Sequence, residues 1–202
     1  MDGTLLDLHY DNHFWLEHVP THYAKKHQLS LDDAKAQLKT HYNDFSGTLN
    51  WYNLDHWSEQ LDMDIPTLKL ETAQRIKVRE NVEQFLNFLQ RQQKHIILLT
   101  NAHPKTITIK FQHTTIEHYF DQIITSHDIG LAKEQAGFWD RLHQRIDFKI
   151  ENSLFIDDSL DVLRAAKQHN IAYLLAIHQP DSQQGVVDTK EFTAVECFTQ
   201  LL

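Results

Sequence analysis

At 202 residues, 41% hydrophobic and 23% charged, the chain has the composition of a folded globular protein, long enough for one core and a small insertion. Its net charge of -9 excludes a nucleic-acid backbone as partner, because phosphate contacts need clustered Lys and Arg, but it leaves room for one small phosphate ester. The lone Cys197 excludes an internal disulfide, no apolar run approaches the roughly 18 residues of a membrane span, and the first residues lack a signal-peptide pattern, so a cytoplasmic protein is expected.

After Met1–Leu8, the first 75 residues carry helical stripes and no convincing strand. His9, His13, His18 and His22 recur at spacings of four and five, which sets pairs on one helical face. Without a Cys cluster this spacing is a weak zinc pattern. Ser30 with Asp33 predicts a helix cap, Trp51, Leu54, Trp57 and Leu61 line a further helix, and Pro66 opens another. Asn81 with Gln84 reads as a capping box ahead of a helix with the stripe Val82, Phe85, Leu86 and Leu89.

Beyond that point the pattern changes. Four short apolar runs rich in branched side chains predict buried strands: His95–Thr100, Gln122–Ser126, Ser153–Asp157 and Ile171–Ile177. Helices are predicted between them. One starts at Pro104 with Ile107 and Phe111 inward, one carries Phe138, Trp139, Leu142 and Ile146, and one follows Ser159 with Leu163 and Ala166. Phe192, Val195 and Leu201 predict a final docking helix. Strands alternating with helices give an α/β fold with a parallel sheet covered on both faces. Residues 1–10 and 76–202 are expected to form that core, and residues 11–75 a helical insert.

Ligands of open α/β sheets sit beyond the carboxyl ends of the strands. Thr100 and Asn101 end the first predicted strand, Lys133 follows the second, and Asp157 and Asp158 end the third. A hydroxyl, an ammonium and paired carboxylates suit phosphoryl transfer: the acids for a hard cation such as magnesium, the Lys and Thr for phosphate oxygens. Each residue alone has a bland explanation, as a turn, a cap or a solvated charge. Their order along the chain does not.

Asp2-Gly3-Thr4-Leu5, the Thr100-Asn101 strand end, Lys133 and Asp157-Asp158 together resemble the four motifs of the haloacid dehalogenase superfamily. Longer stretches, among them Asp11–Trp15, Leu49–Tyr52, His56–Leu61, Leu98–Pro104 and Leu154–Ser159, are similar to bacterial nucleotidases that act on GMP and IMP. The resemblance implies an α/β core with a helical cap and magnesium-dependent hydrolysis of purine nucleoside monophosphates. It assigns Asp2 as general acid and base, Thr100 and Lys133 to the phosphoryl group, and Asp158, Asp157 and the Asp2 carbonyl to the metal. Asn101, Trp15 and Trp51 become substrate-binding candidates, with Phe14, Tyr52 and Trp57 as further aromatic neighbours; packing within the insert is the plainer role for any one of these rings. Many relatives carry an Asp four residues after the metal-binding one, where this chain has Val162, and Asp161 is expected on the exposed side of its helix.

In that superfamily the opening motif is Asp-x-Asp-Gly-Thr after an apolar strand. Met1 takes the x position, so the nucleophilic aspartate and its strand are expected ahead of Met1, an internal methionine read as a start being the expected reason. Asp7 lies beyond the turn and is no substitute. The missing strand would be central, between His95–Thr100 and Ser153–Asp157. Without it those neighbours would stand roughly 9–10 Å apart, twice the usual spacing. Its buried side chains represent roughly 8–15 kcal/mol, comparable with a domain's whole stability of about 5–15 kcal/mol, so the chain as written is expected to fold poorly. Two alternatives stay open: the same chemistry on another ester such as a sugar phosphate, and a phosphatase-like protein that binds without turnover.

Overall fold

The computed structural model describes residues 1–202. Its first residues form a tight turn in which the amides of Thr4, Leu5 and Leu6 all donate to the Met1 carbonyl, and Leu6 then bridges to Val78. Helix α1 (His9–His13) runs through one π-helical turn, Phe14–His18, into α2 (Val19–His27). Pro20 sits in the first turn of α2 and has no N–H to give back, which is where an α-helical ladder is most easily interrupted. Ser30 caps α3 (Leu31–Phe45) by accepting the Asp33 amide, as its sequence predicts. Asn53 and Asp64 cap α4 (Leu54–Leu61) and α5 (Ile65–Glu71) in the same way.

These helices bury a core of their own, drawn wholly from residues between Phe14 and Leu68 and centred on Trp57, Leu38, Tyr42 and Ile65. The largest core of the rest of the chain includes Leu6, Tyr10, Val82, Phe85, Leu98 and Phe198, with smaller clusters around Phe138 and Trp139 and around Leu163 and Ala176.

The α/β part runs α6 (Val82–Arg91), β1 (Ile97–Thr100), α7 (Pro104–Gln112), β2 (Gln122–Thr125), α8 (Ser126–Ile129), α9 (Phe138–Arg145), β3 (Leu154–Asp157), α10 (Leu160–Gln168), β4 (Tyr173–Ile177) and β5 (Thr193–Val195). All pairings are parallel, with Thr100 opposite Thr125 and Asp157 opposite Ala176. The strands form two sheets, β1-β2 and β3-β4-β5. The free edges of β1 and β3 border an apolar cleft of about 790 Å³ whose walls include Phe85, Leu98, Trp139, Leu154 and Ile156.

Three expectations need correction. Val195 does not sit in a helix: Thr193–Val195 pairs with β4, because its alternating, β-prone side chains satisfy that strand's free edge, and only the short 3-10 turn Phe198–Leu201 follows. Asn81 precedes α6 but gives no cap, since its left-handed backbone (φ 63°) turns the side chain to Cys197 Sγ at 3.2 Å. Three of the four predicted strands also start later than expected, with His95, Ser153 and Ile171 outside the ladders, and the second ends at Thr125, with Ser126 opening α8.

Candidate active site

The carboxyl ends of β1, β2 and β3 and the opening turn converge on one crevice. Lys133, buried in the loop after α8, donates to Asp157 Oδ2 at 2.5 Å. Its position is fixed from three directions. Its amide donates to Asn101 Oδ1 at 2.9 Å, its carbonyl accepts from Trp139 Nε1 at 3.0 Å, and its ammonium lies 5.5 Å from the centre of the Phe155 ring. The other Asp157 oxygen takes the Ser159 amide at 2.9 Å, which starts α10.

Asp158 faces the opening turn, with Thr4 Oγ1 donating to it at 3.3 Å. Gly3 adopts φ +68°, and a Cβ there would run into the Asp158 carboxylate, so two separate requirements select glycine. Burial and the neighbouring Asp157 charge push the Asp158 carboxyl up to about 7, although the Met1 amino group and Lys133 pull the other way. The two carboxylates, Asp157 paired with Lys133 and Asp158 taking the Thr4 hydroxyl, form an oxygen-donor set at the crevice. They fit a hard divalent cation.

Thr100 is buried at the end of β1, and its hydroxyl accepts the Ala102 amide at 3.1 Å, leaving the hydroxyl proton free to donate. Asn101 spends both ends of its amide inside the protein: its oxygen accepts from Ser126 Oγ and the Lys133 amide, and its Nδ2 donates to Glu134 at 2.8 Å. Glu134 also accepts from Tyr52 Oη at 2.8 Å, so the turn holding Trp51 and Tyr52 is tied to the crevice.

Asp2 pairs with Lys110 of α7, which also meets Asp11 at 2.7 Å; Asp11 in turn accepts from Lys69 of α5 at 2.8 Å. Both lysines are 1% exposed. Although burial opposes it, Lys110 and Lys69 hold the Asp11 carboxyl well below the usual carboxylate range. Lys69 also lies 4.4 Å from the Phe14 ring centre. No local pattern marks these lysines as buried, because their partners lie 58 and 99 residues away along the chain. Lys110 falls on the inner face of α7 beside Ile107, and that single position is the only signal.

The aromatic candidates lie mainly in the helical core. Trp15 packs edge-on against Tyr42 at 5.8 Å, and Trp51 does the same at 5.7 Å, while Trp57 is buried and donates to the Trp51 carbonyl. Asp7 is turned away from the crevice, accepting the His9 and Ser182 amides at 3.0 Å each. Asp161 is exposed and pairs with Arg164. His103 and His127 meet edge-on at 4.7 Å beside Asp55 of α4, and neither ring nitrogen of His127 has a partner. Burial lowers the His127 imidazole to about 4, with His103 adding to the effect.

A haloacid dehalogenase-like hydrolase family model matches residues 1–170. The chain belongs to that family. It is therefore a hydrolase enzyme. Over 182 residues it is 41% identical to the GMP/IMP nucleotidase YrfG of Escherichia coli (strain K12), an alignment covering 90% of this chain and 82% of that protein. The same figures hold for GMP/IMP nucleotidase YrfG of Shigella flexneri. A HAD phosphatase from Thermococcus onnurineus superposes with a TM-score of 0.77 at 19% identity, covering all of this chain and 93% of the other. The HAD-hydrolase YfnB of Bacillus subtilis, solved with magnesium, gives a TM-score of 0.70 at 18% identity, again over all of this chain and 93% of the other. The family fold is thus present along the whole chain. No helix is long and apolar enough to cross a membrane.

Proposed function

We propose that this hydrolase cleaves the phosphate ester of purine nucleoside monophosphates of the GMP/IMP kind. The observation that carries the reading is the 41% identity to a GMP/IMP nucleotidase across 90% of the chain. It is supported by a crevice in which Lys133 pairs with Asp157 and Thr4 of the opening turn donates to Asp158, while Asp2 of the same turn pairs with Lys110. Residues 11–75 act in this reading as a cap, and Tyr52 through Glu134 ties that cap to the crevice.

Asp158, Asp157 and the Asp2 carbonyl would hold a magnesium ion, whose chemistry is to neutralise charge on the phosphoryl oxygens. Lys133 supplies the fixed positive charge on the phosphoryl group and Thr100 a hydroxyl donor. In the aspartyl-phosphate scheme that the superfamily resemblance implies, the attacking group is an aspartate carboxylate. Its oxygen bonds to phosphorus as the ribose oxygen leaves with a proton from Asp2. Asp2 then takes a proton from the water that cleaves the aspartyl-phosphate. Lys110 holds the Asp2 carboxyl in place for both steps.

The test is phosphate release by the chain extended ahead of Met1 with an apolar strand ending in Asp. GMP and IMP should be hydrolysed in preference to AMP and sugar phosphates, and Lys133→Ala should lose on the order of 10²–10³ in kcat. A panel without purine preference would move the substrate to other small esters. Nucleotide bound but never hydrolysed would make the protein a binding one.

A further inference from the structure

Away from the crevice, the π-turn and α2 bring His18 Nε2 within 3.0 Å, and His22 Nε2 within 3.5 Å, of one oxygen, Glu71 Oε2. The three ligand atoms all lie within 4.8 Å of one another, and the imidazole rings are 4.6 Å apart. We propose that His18, His22 and Glu71 form a binding site for a transition-metal cation of the zinc class, separate from the oxygen-lined crevice.

Two edges of this triangle, from Glu71 to each histidine, match those of a zinc tetrahedron. Ligands about 2.0–2.1 Å from zinc stand about 3.3 Å from each other, and the two His–Glu separations bracket that value. Rotation of the imidazoles about their side-chain torsions would have to close the third edge, with water at the fourth corner. Two imidazoles with one carboxylate favour zinc, cobalt, nickel or copper over magnesium, which prefers oxygen donors throughout. The helical spacing of four residues sets both rings on one face, with the single π-turn ending at His18. The three side chains are part-exposed, at 18%, 37% and 46%, so a cation reaches them from solvent.

The site joins the start of the helical region to its end. His18 and His22 stand just after the chain enters that region, whereas Glu71 closes α5 immediately before the chain returns to the α/β part. A metal here clamps the two crossings to each other and stiffens the base of the helical region. The histidine spacing is visible in the sequence; Glu71, 53 residues from His18, is not.

Titrating the full chain with Zn²⁺ in excess Mg²⁺, added to compete for the oxygen donors of the acidic crevice, tests this directly. We expect one zinc equivalent whose affinity falls at least about tenfold, a loss of roughly 1.4 kcal/mol or more, in His22→Ala and in Glu71→Gln. His95→Ala, an exposed histidine elsewhere, should leave it unchanged. Co²⁺ in place of Zn²⁺ should give the intense visible absorption of a four-coordinate ion, lost in the same two variants. Zinc should also raise the thermal midpoint of the parent chain and not of His22→Ala. Equal zinc affinity in the parent and both variants overturns the proposal, as does the absence of any zinc equivalent tighter than in the double variant His18→Ala/His22→Ala, provided circular dichroism shows each variant folded.

Discussion

Between Phe14 and Leu68 the buried side chains close on one another, with Trp15, Tyr42, Trp51 and Trp57 packed edge to face and every helix start from α3 to α5 capped by its own side chain. In the α/β part the strands are equally apolar, yet β1 and β3 face a cleft of about 790 Å³ and each leaves one edge without a ladder partner. The first region satisfies its backbone groups locally, through helical hydrogen bonds and caps, and needs only side chains to fill its interior. The second depends on lateral pairing, so its sheet is only as complete as the strands available to it. Helical cores tolerate isolation better than parallel sheets for this reason.

The largest effect we expect comes from completing the sheet. An apolar strand of about five residues added ahead of Met1, ending in Asp, should raise unfolding stability by several kcal/mol, up to roughly 8–15 kcal/mol if it is fully buried between β1 and β3. Urea unfolding with matched m-values measures it. The same extension carrying Lys at its inward positions should stabilise little, and equal gains from both sequences would mean that the cleft does not take a strand.

Substitutions then sharpen the contrast region by region. Trp57→Ala opens a cavity in a closed core and should cost about 3–5 kcal/mol. Phe155→Ala removes a ring that is already half-buried beside the cleft, and should cost about 1–2 kcal/mol in the chain of 202 residues. In the strand-extended chain the Phe155→Ala cost should approach that of Trp57→Ala. At the seam between the regions, Asp11→Asn leaves Lys69 and Lys110 facing each other with one carboxylate fewer, and should cost about 3–5 kcal/mol. A loss below about 1 kcal/mol would show that solvent reaches those lysines.

What could be read in advance follows the same division. The strand ends at Thr100 and Asp157 were legible because short β-branched runs mark them, and in parallel folds ligands gather at such ends. The cap at Ser30 and the start of a helix after Ser159 were legible because they are local. The Asp2–Lys110–Asp11–Lys69 chain was not, since each link joins residues far apart and a buried lysine looks like any other lysine in sequence. Glu134 carries no local signal for the same reason: its partners Tyr52 and Asn101 come from different regions of the chain. Thr193–Val195 is too short to show a period, and only the free edge of β4 decides its state.

The smallest effect is a pH dependence at the seam, where His127 and His103 stand beside Asp55 of α4. The His127 imidazole falls from an ordinary 6.5 to about 4 in the folded chain, driven by burial and then by His103. Between those values the unfolded chain binds a proton that the folded chain refuses, so stability is lost as pH falls through this window and the loss levels off below about 4. Both ring nitrogens are buried without a partner, so the penalty falls on the charged form. We expect this group to contribute about 1–3 kcal/mol to the difference between neutral pH and pH about 4. Acid also protonates carboxylates, so the decisive comparison is with His127→Phe, which keeps a ring against His103 but cannot titrate. Urea midpoints measured across that range should fall less steeply for His127→Phe than for the parent. Parallel slopes would assign the acid sensitivity to the carboxylates of the Lys69–Lys110 cluster instead.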